Sequence, residues 1–182
     1  MFDKQSAHNY IEMIVKMCFD VATKWGDSSF EDEKLAGHRE RPMKDIEVKI
    51  PVLSFDKREG KRRKESVEGR DRRMYDRNVI DVFIPFVGDS VAFDISPSTK
   101  TLGARGSVSS DHIVLSFDDD DRLEQNLDGM VKMIEGNLQH LGRDLSSLPA
   151  QVSSAVDTAI RERKAQIDRK RELDAKRSFP IR

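Results

Sequence analysis

A long series of apolar residues at helical spacing is the feature that most constrains how this chain folds. The series advances in alternating steps of four and three and comprises Leu127, Val131, Ile134, Leu138, Leu141, Leu145, Leu148, Val152, Ala155 and Ala159. Apolar residues at this period lie along one side of an α-helix, and that side must be buried against another surface. The sequence therefore predicts long C-terminal helices with one continuous apolar side.

A proline divides this series. Pro149 lies between Leu148 and Val152, and a proline inside a helix removes a backbone hydrogen bond at a cost of about 3 kcal/mol. We therefore predict a break at residues 146–148 and a second helix that begins at Pro149. The aspartates at 118–121 precede the first helix, where carboxylates complement the exposed N–H groups of a helix start.

The first of these helices carries a predicted interface, which we call the helix seam. Its residues are Leu127, Val131, Ile134, Leu138, Leu141 and Leu145. A seam at heptad spacing packs equally well on the chain's own sheet or on a second copy of the chain. The sequence leaves both interpretations open, and self-association is one of the expected interactions.

Shorter patterns predict the remaining elements. Residues 6–25 have the apolar stripe typical of a helix. Alternating or continuous apolar runs predict strands at 46–50, 79–86, 91–95 and 112–117, with a weak edge strand within 102–110. Gly88 and Asp89 predict a turn that joins 79–86 and 91–95 in a hairpin. The expected fold class is α+β, with an N-terminal helix, a small antiparallel sheet of about four strands and long C-terminal helices packed on the sheet.

Charged residues are unusually frequent in this chain and unevenly placed. They make up 36% of the 182 residues, against about 25% in an average soluble domain. The densest stretches are residues 56–78, the aspartates at 118–121 and the residues beyond 160. We expect a single α+β domain over 1–160 with a charged loop at 56–78, followed over 161–182 by a basic helical extension or a linker to a downstream domain.

The charged stretch at 56–78 permits two interpretations. It contains ten basic and six acidic residues, although the whole chain has a net charge of -1. This composition favours a solvated, mobile loop. The second interpretation is an arm that contacts nucleic-acid phosphates through Lys61, Arg62, Arg63, Lys64, Arg70, Arg72 and Arg73. Tyr75 is the only aromatic residue in the stretch, which argues against the base stacking typical of single-strand binders.

The sequence favours a non-catalytic protein. It has no glycine-rich phosphate loop and no nucleophile elbow, and its four histidines lie too far apart for a metal motif, so we expect no cofactor and no metal. One pattern is an exception. Glu47-Val48-Lys49 on the predicted strand, preceded by Asp32 or Asp45, has the residue types with which nucleases hold Mg²⁺ and orient water. The same alternation is also that of an ordinary solvent-facing strand.

Cysteine usage and hydropathy indicate the compartment. Cys18 is the single cysteine and cannot form an internal disulfide, which fits a reducing compartment. The chain contains no apolar run of about 18 to 20 residues and no signal-peptide pattern. We therefore expect a cytoplasmic protein without a membrane partner.

Part of the chain resembles a known class of proteins. The relevant residues are the stretch 85–93, the turn at 96–99, the strand at 113–117 and the long helix whose end is basic from Arg163 and Lys164 onward. Together they resemble the non-catalytic N-terminal modules of bacterial anti-phage defence proteins, in which a small module precedes an effector domain. The resemblance covers about residues 79–176 and implies a sensor, scaffold or assembly module that binds a protein partner or itself. The alternatives are a nucleic-acid-binding module and, with less support, a Mg²⁺-dependent nuclease.

Overall fold

The chain folds as two units, one built around a sheet and one made of helices. The computed structural model describes residues 1–26, 30, 37, 46–68, 72–101 and 105–177. The first unit comprises Met1–His8 and Val48–Asp144, and the second comprises Asn9–Glu47 and Leu145–Arg182.

The described elements confirm the α+β class. The strands are β1 (Gln5–Ser6), β2 (Val52–Leu53), β3 (Glu59–Glu68), β4 (Met74–Val87), β5 (Ile95–Ser96), β6 (Ser107–Val108) and β7 (His112–Asp118). The long helices are α1 (Ala7–Thr23), α2 (Leu123–Leu145) and α3 (Leu148–Ala175). Short 3-10 helices occupy Phe55–Lys57 and Ser90–Asp94.

A five-stranded antiparallel sheet forms the centre of the first unit. Its main path runs β2-β4-β7-β6, and β3 pairs with β4 as well. Because β3 and β7 pair with overlapping parts of β4, they lie on opposite edges of that strand. β4 is thus the central strand, and β6 is an edge strand inside the range predicted for one.

The two faces of the sheet differ in burial. Side chains alternate along a strand, and residues directly opposite each other share a face. One face is core, because Val82, Ile84 and Phe86 of β4 and Ile113 and Leu115 of β7 are all buried. We call the other the outer face. It consists of Val52, Glu59, Lys61, Arg63, Glu65, Val67, Tyr75, Arg77, Val79, Asp81, Phe83, Pro85, Val87, His112, Val114, Ser116 and Asp118, all at least partly exposed except Val79, which is buried.

The N-terminal residues are tied into the first unit. β1 pairs in parallel with β5, and the amide of Phe2 donates to the Phe93 carbonyl at 2.5 Å. The Phe2 side chain is fully buried, and its ring lies 5.9 Å from that of Phe93. Lys100 Nζ donates to the Phe2 carbonyl at 2.6 Å. These contacts make the start of the chain part of the core.

Two polar side chains hold α2 to the segment that follows β5. The amide of fully buried Asn137 accepts from the Thr101 N–H at 2.8 Å and donates to the Thr101 carbonyl at 3.2 Å. The Asp144 carboxylate accepts from the Ser98 N–H and from the Ser98 hydroxyl, each at 2.7 Å. The position of α2 in the first unit therefore depends on hydrogen bonds as well as on apolar burial.

The predicted helix seam and helix break are present. All six seam residues are buried in the single chain, none exposing more than 8% of its surface. α2 ends at Leu145 and α3 begins at Leu148, one residue before the predicted start, with Pro149 in its first turn. The seam side chains are thus buried without a second copy of the chain.

The second unit contains α1 from Asn9 onward and α3. The apolar stripe of α1 is buried at Tyr10, Ile11, Ile14, Cys18 and Ala22. Burial raises the pKa of the Cys18 thiol, which keeps it protonated and fits a core residue. α3 buries Leu148, Val152, Val156, Ala159 and Ile167 and continues without a break through residue 160.

Two strand predictions are wrong. Residues 46–50 are not a strand, and the short β2 follows them instead. Residues 91–95 do not return along β4, because Ser90–Asp94 forms a 3-10 helix that buries Ala92 and Phe93. Gly88 allows this departure, since its backbone φ is +133° and a Cβ there would lie 2.8 Å from Pro51 Cα.

The prediction of a loop at 56–78 is also wrong. Most of this stretch forms β3 and the first part of β4, which pair over ten residues from Glu59 opposite Phe83 to Glu68 opposite Met74. The register places opposite charges across from each other, Lys61 beside Asp81 and Glu65 beside Arg77. Such cross-strand pairs stabilise a hairpin, so a charge-dense segment becomes regular structure.

Candidate nucleic-acid interface

The β3–β4 hairpin extends beyond the rest of the sheet. β7 pairs with β4 only as far as Val79 opposite Asp118, whereas β3 continues beside β4 to Met74. Apart from the Asn78 carbonyl, which accepts from the Asp119 N–H at 3.1 Å, the backbone of residues 64–68 and 74–78 pairs within the described sheet across this hairpin alone, and we call these residues, together with Arg72 and Arg73, the ribbon. At about 3.3 Å per residue, five residue pairs give it a length of about 16 Å.

A ladder of ion pairs crosses the outer face at the base of the ribbon. Arg63 Nε lies 2.7 Å from Asp81 Oδ2, and the Ser116 hydroxyl donates to Asp81 Oδ1 at 2.6 Å. Arg77 binds Glu65 at 2.9 Å and also Asp118 at 3.2 Å. The chain thus neutralises two of its own arginines here.

The pKa directions agree with this geometry. The Ser116 hydrogen bond, with help from Arg63, lowers the pKa of Asp81 despite partial desolvation. The Arg77 hydrogen bond lowers the pKa of Glu65. The pKa values of Arg63 and Arg77 are raised by their carboxylate partners. All four side chains are therefore ionised near neutral pH.

The seven basic residues predicted to bind nucleic acid have different surroundings. Arg63 belongs to the ladder, and Arg62 pairs with Asp119 at 2.7 Å. Lys61 and Lys64 are exposed on β3, and Arg72 is exposed in the turn with a left-handed backbone φ of 61°.

Within the part of the chain that the structure describes, Lys61, Lys64 and Arg72 form no ion pair within 4.0 Å. Arg73 has an interaction partner, and Arg70 lies outside the described residues. The cations left for another molecule on this hairpin therefore include Lys61, Lys64 and Arg72.

Sequence reasoning did not identify the residues that form the ladder with Arg63. Asp81, Ser116, Glu65 and Arg77 come from three strands and meet only through the register. Their signal in the sequence is the two-residue period of Arg63, Glu65 and Val67, which the loop interpretation overlooked.

The nuclease pattern lacks its predicted structural setting. Glu47 and Lys49 are not on a strand. The Lys49 backbone is paired with Asp89, whose carboxylate accepts from the Lys49 N–H at 2.7 Å. Asp32 and Asp45 lie outside the described residues. Among the residues that the structure does describe, no group of three His, Cys, Asp or Glu side chains is arranged to hold a metal ion.

Comparisons with known proteins provide no relative for this chain. No family model, no curated protein and no solved structure matches it. Over its described residues, no helix is both long and apolar enough to cross a membrane. Any functional assignment must therefore come from the residues themselves.

Proposed function

We propose that this chain is a non-catalytic binding module whose ribbon and adjoining part of β3 contact the phosphate backbone of nucleic acid. The observation that supports this is which cations of the hairpin form a close ion pair and which do not. Arg62, Arg63 and Arg77 are paired with acids of the chain, but Lys61, Lys64 and Arg72 are exposed on the same hairpin without an ion pair within the described structure.

The shape of the hairpin favours a duplex. A two-stranded β-ribbon fits the major groove of DNA, and lysine and arginine contacts to phosphate supply most of the affinity without sequence preference. Tyr75 is half exposed opposite Val67, and a single aromatic side chain offers little base stacking. We therefore expect duplex to bind at least as well as single strands.

An alternative explanation for these charges is protection of a sheet edge. β3 pairs with β4 alone among the described strands, and exposed lysines on an edge strand prevent it from pairing with other chains. The two explanations predict different results. Phosphate contacts predict salt-sensitive DNA binding, and edge protection predicts aggregation when the charges are removed.

The experiment measures fluorescence anisotropy of a labelled 20-base-pair duplex against the whole chain, at several salt concentrations from about 50 mM to 200 mM. The test variant carries Lys61→Ala, Lys64→Ala and Arg72→Ala. The control carries Lys16→Ala, Lys24→Ala and Lys132→Ala, three exposed lysines outside the hairpin, and changes the net charge equally.

We expect wild type and control to bind with affinity that falls steeply with salt. Each lost phosphate contact reduces the slope of log K against log salt by about 0.9, so the test variant should show a slope smaller by about 2 to 3. Absence of binding at about 50 mM salt contradicts the proposal, and so does equal weakening in test and control. Aggregation of the test variant without DNA binding by wild type supports edge protection instead.

The wider role of such a module stays a proposal that rests on the sequence resemblance. In a prokaryotic anti-phage defence protein, the module would bind a trigger and pass the signal to a downstream effector. Nucleic acid is a trigger that fits the basic hairpin.

A further inference from the structure

The outer face has a second distinct region at the end opposite the ribbon. Val52 and Val87 are directly opposite each other across β2 and β4, and they expose 70% and 76% of their surface. Pro85 and Phe83 continue the same face along β4. Exposed apolar residues that cluster in this way, with charged neighbours, typically mark a binding surface.

A pocket lies beside this valine pair. It has a volume of about 270 Å³ and is lined by Lys57, Glu59, Phe83, Pro85, Asp111 and His112. The His112 ring lies 5.6 Å from the Phe83 ring, and its Nδ1 is 2.7 Å from the Asp111 carboxylate. Phe83, Pro85 and the His112 ring form one wall of the pocket.

The size and setting of the pocket favour a polypeptide as its occupant. Pockets for small-molecule ligands usually measure about 300–1,000 Å³, so this one suits a single side chain. The Val52–Val87 pair lies outside the pocket and offers apolar contact to a longer segment. The lining carries two carboxylates, of Glu59 and Asp111, and one lysine, Lys57. A basic residue beside the inserted side chain complements the two carboxylates.

We propose that this end of the outer face docks a polypeptide segment that inserts one aromatic or aliphatic side chain into the pocket and places an arginine or lysine beside Glu59 and Asp111. The surface lies at the end of the outer face opposite the ribbon and has the opposite charge preference. It also differs from the helix seam, whose side chains are buried. A protein partner and nucleic acid therefore use different parts of the sheet.

The test uses nuclear magnetic resonance of the whole chain with three short probes. These are acetyl-Gly-Phe-Arg-amide, acetyl-Gly-Phe-Glu-amide and acetyl-Gly-Ser-Arg-amide. We expect the first peptide to shift the methyl signals of Val52 and Val87 and the ring signals of His112 in a saturable way at millimolar concentration. The second should bind about threefold more weakly, the ratio that an exposed ion pair supports, and the third should bind more weakly still.

Two substitutions make the assignment specific. Val87→Ser and, separately, Val52→Ser should weaken the first peptide severalfold while leaving the fold intact, because both side chains are exposed. Val91→Ser, an exposed valine outside the patch, should bind like wild type. The proposal is overturned by an absence of shifts at about 10 mM peptide, by equal binding of the Arg and Glu peptides, or by binding that neither valine substitution changes.

Discussion

Replacement of Asn137 tests whether hydrogen bonds position α2. Its side chain is fully buried and bonds both the N–H and the carbonyl of Thr101. Asn137→Ala removes two hydrogen bonds, each worth about 0.5 to 1.5 kcal/mol net. We expect the free energy of unfolding to fall by about 1 to 3 kcal/mol. Because Thr101 itself is exposed, water can form hydrogen bonds with the N–H and carbonyl groups that lose their partner. The loss of stability is therefore smaller than for polar groups left unpaired in a fully buried site.

Asn137→Asp separates hydrogen bonding from side-chain size. A carboxylate still accepts from the Thr101 N–H, but its second oxygen faces the Thr101 carbonyl without a proton between them. A buried charge is also costly. At pH 7 this variant should therefore be less stable than Asn137→Ala, and its stability should recover in acid as the carboxyl is protonated.

The assay is urea unfolding followed by circular dichroism at pH 7 and pH 4. Gln139→Ala is the control, since Gln139 is exposed on the same helix, and it should change the unfolding free energy by less than about 0.5 kcal/mol. A cost of Asn137→Ala within that same range would refute the reasoning. If Asn137→Asp lowers the free energy of unfolding relative to wild type by the same amount at both pH values, the assignment of the two hydrogen bonds is refuted.

Two further predictions concern backbone conformation and pH. Gly88→Ala should destabilise the protein, because the new Cβ would lie 2.9 Å from the Lys49 carbonyl oxygen and would also meet Pro51. Gly129→Ala in α2 has open space around the new Cβ and should stabilise the protein by about 0.5 to 1 kcal/mol. Thermal unfolding of both variants measures these changes. The lowered pKa of Asp81 contributes stability that is present above about pH 4 and is lost as the pH falls through the native value. Asp81→Asn should therefore lower the free energy of unfolding at pH 7, and the loss should become smaller as the pH falls. Urea unfolding at several pH values measures this. A loss that is independent of pH would contradict the role of the Arg63–Asp81–Ser116 contacts.

The helices were predictable because their signal is local. The seam from Leu127 to Leu145 is buried as its spacing requires, and the break before Pro149 follows from the missing N–H of proline. The strand at 112–117 was also identified from alternation within a few residues. In each case the residues that determine the element lie next to each other in the chain.

The hairpin at 59–83 and the outer face required the tertiary structure. Arg63 and Asp81 lie 18 residues apart, and their pairing depends on a register that no local pattern specifies. The predicted strand at 91–95 had the right alternation, but Phe93 is buried from a 3-10 helix beside Phe2. The spacing of apolar residues in the sequence indicates which side chains are buried, whereas the choice of partner strand depends on contacts between distant segments.

The sequence by itself determined the α+β class, the division of the C-terminal helices and the location of the excess charge. Only the tertiary structure decided which of those charges neutralise each other. Ion pairs join Arg62 to Asp119, Arg63 to Asp81 and Arg77 to Glu65. Lys61 and Lys64, on the same strand as Arg62 and Arg63, are exposed. The physical reason is that an ion pair requires a distance of a few ångströms, and that distance is set by strand register rather than by position along the chain.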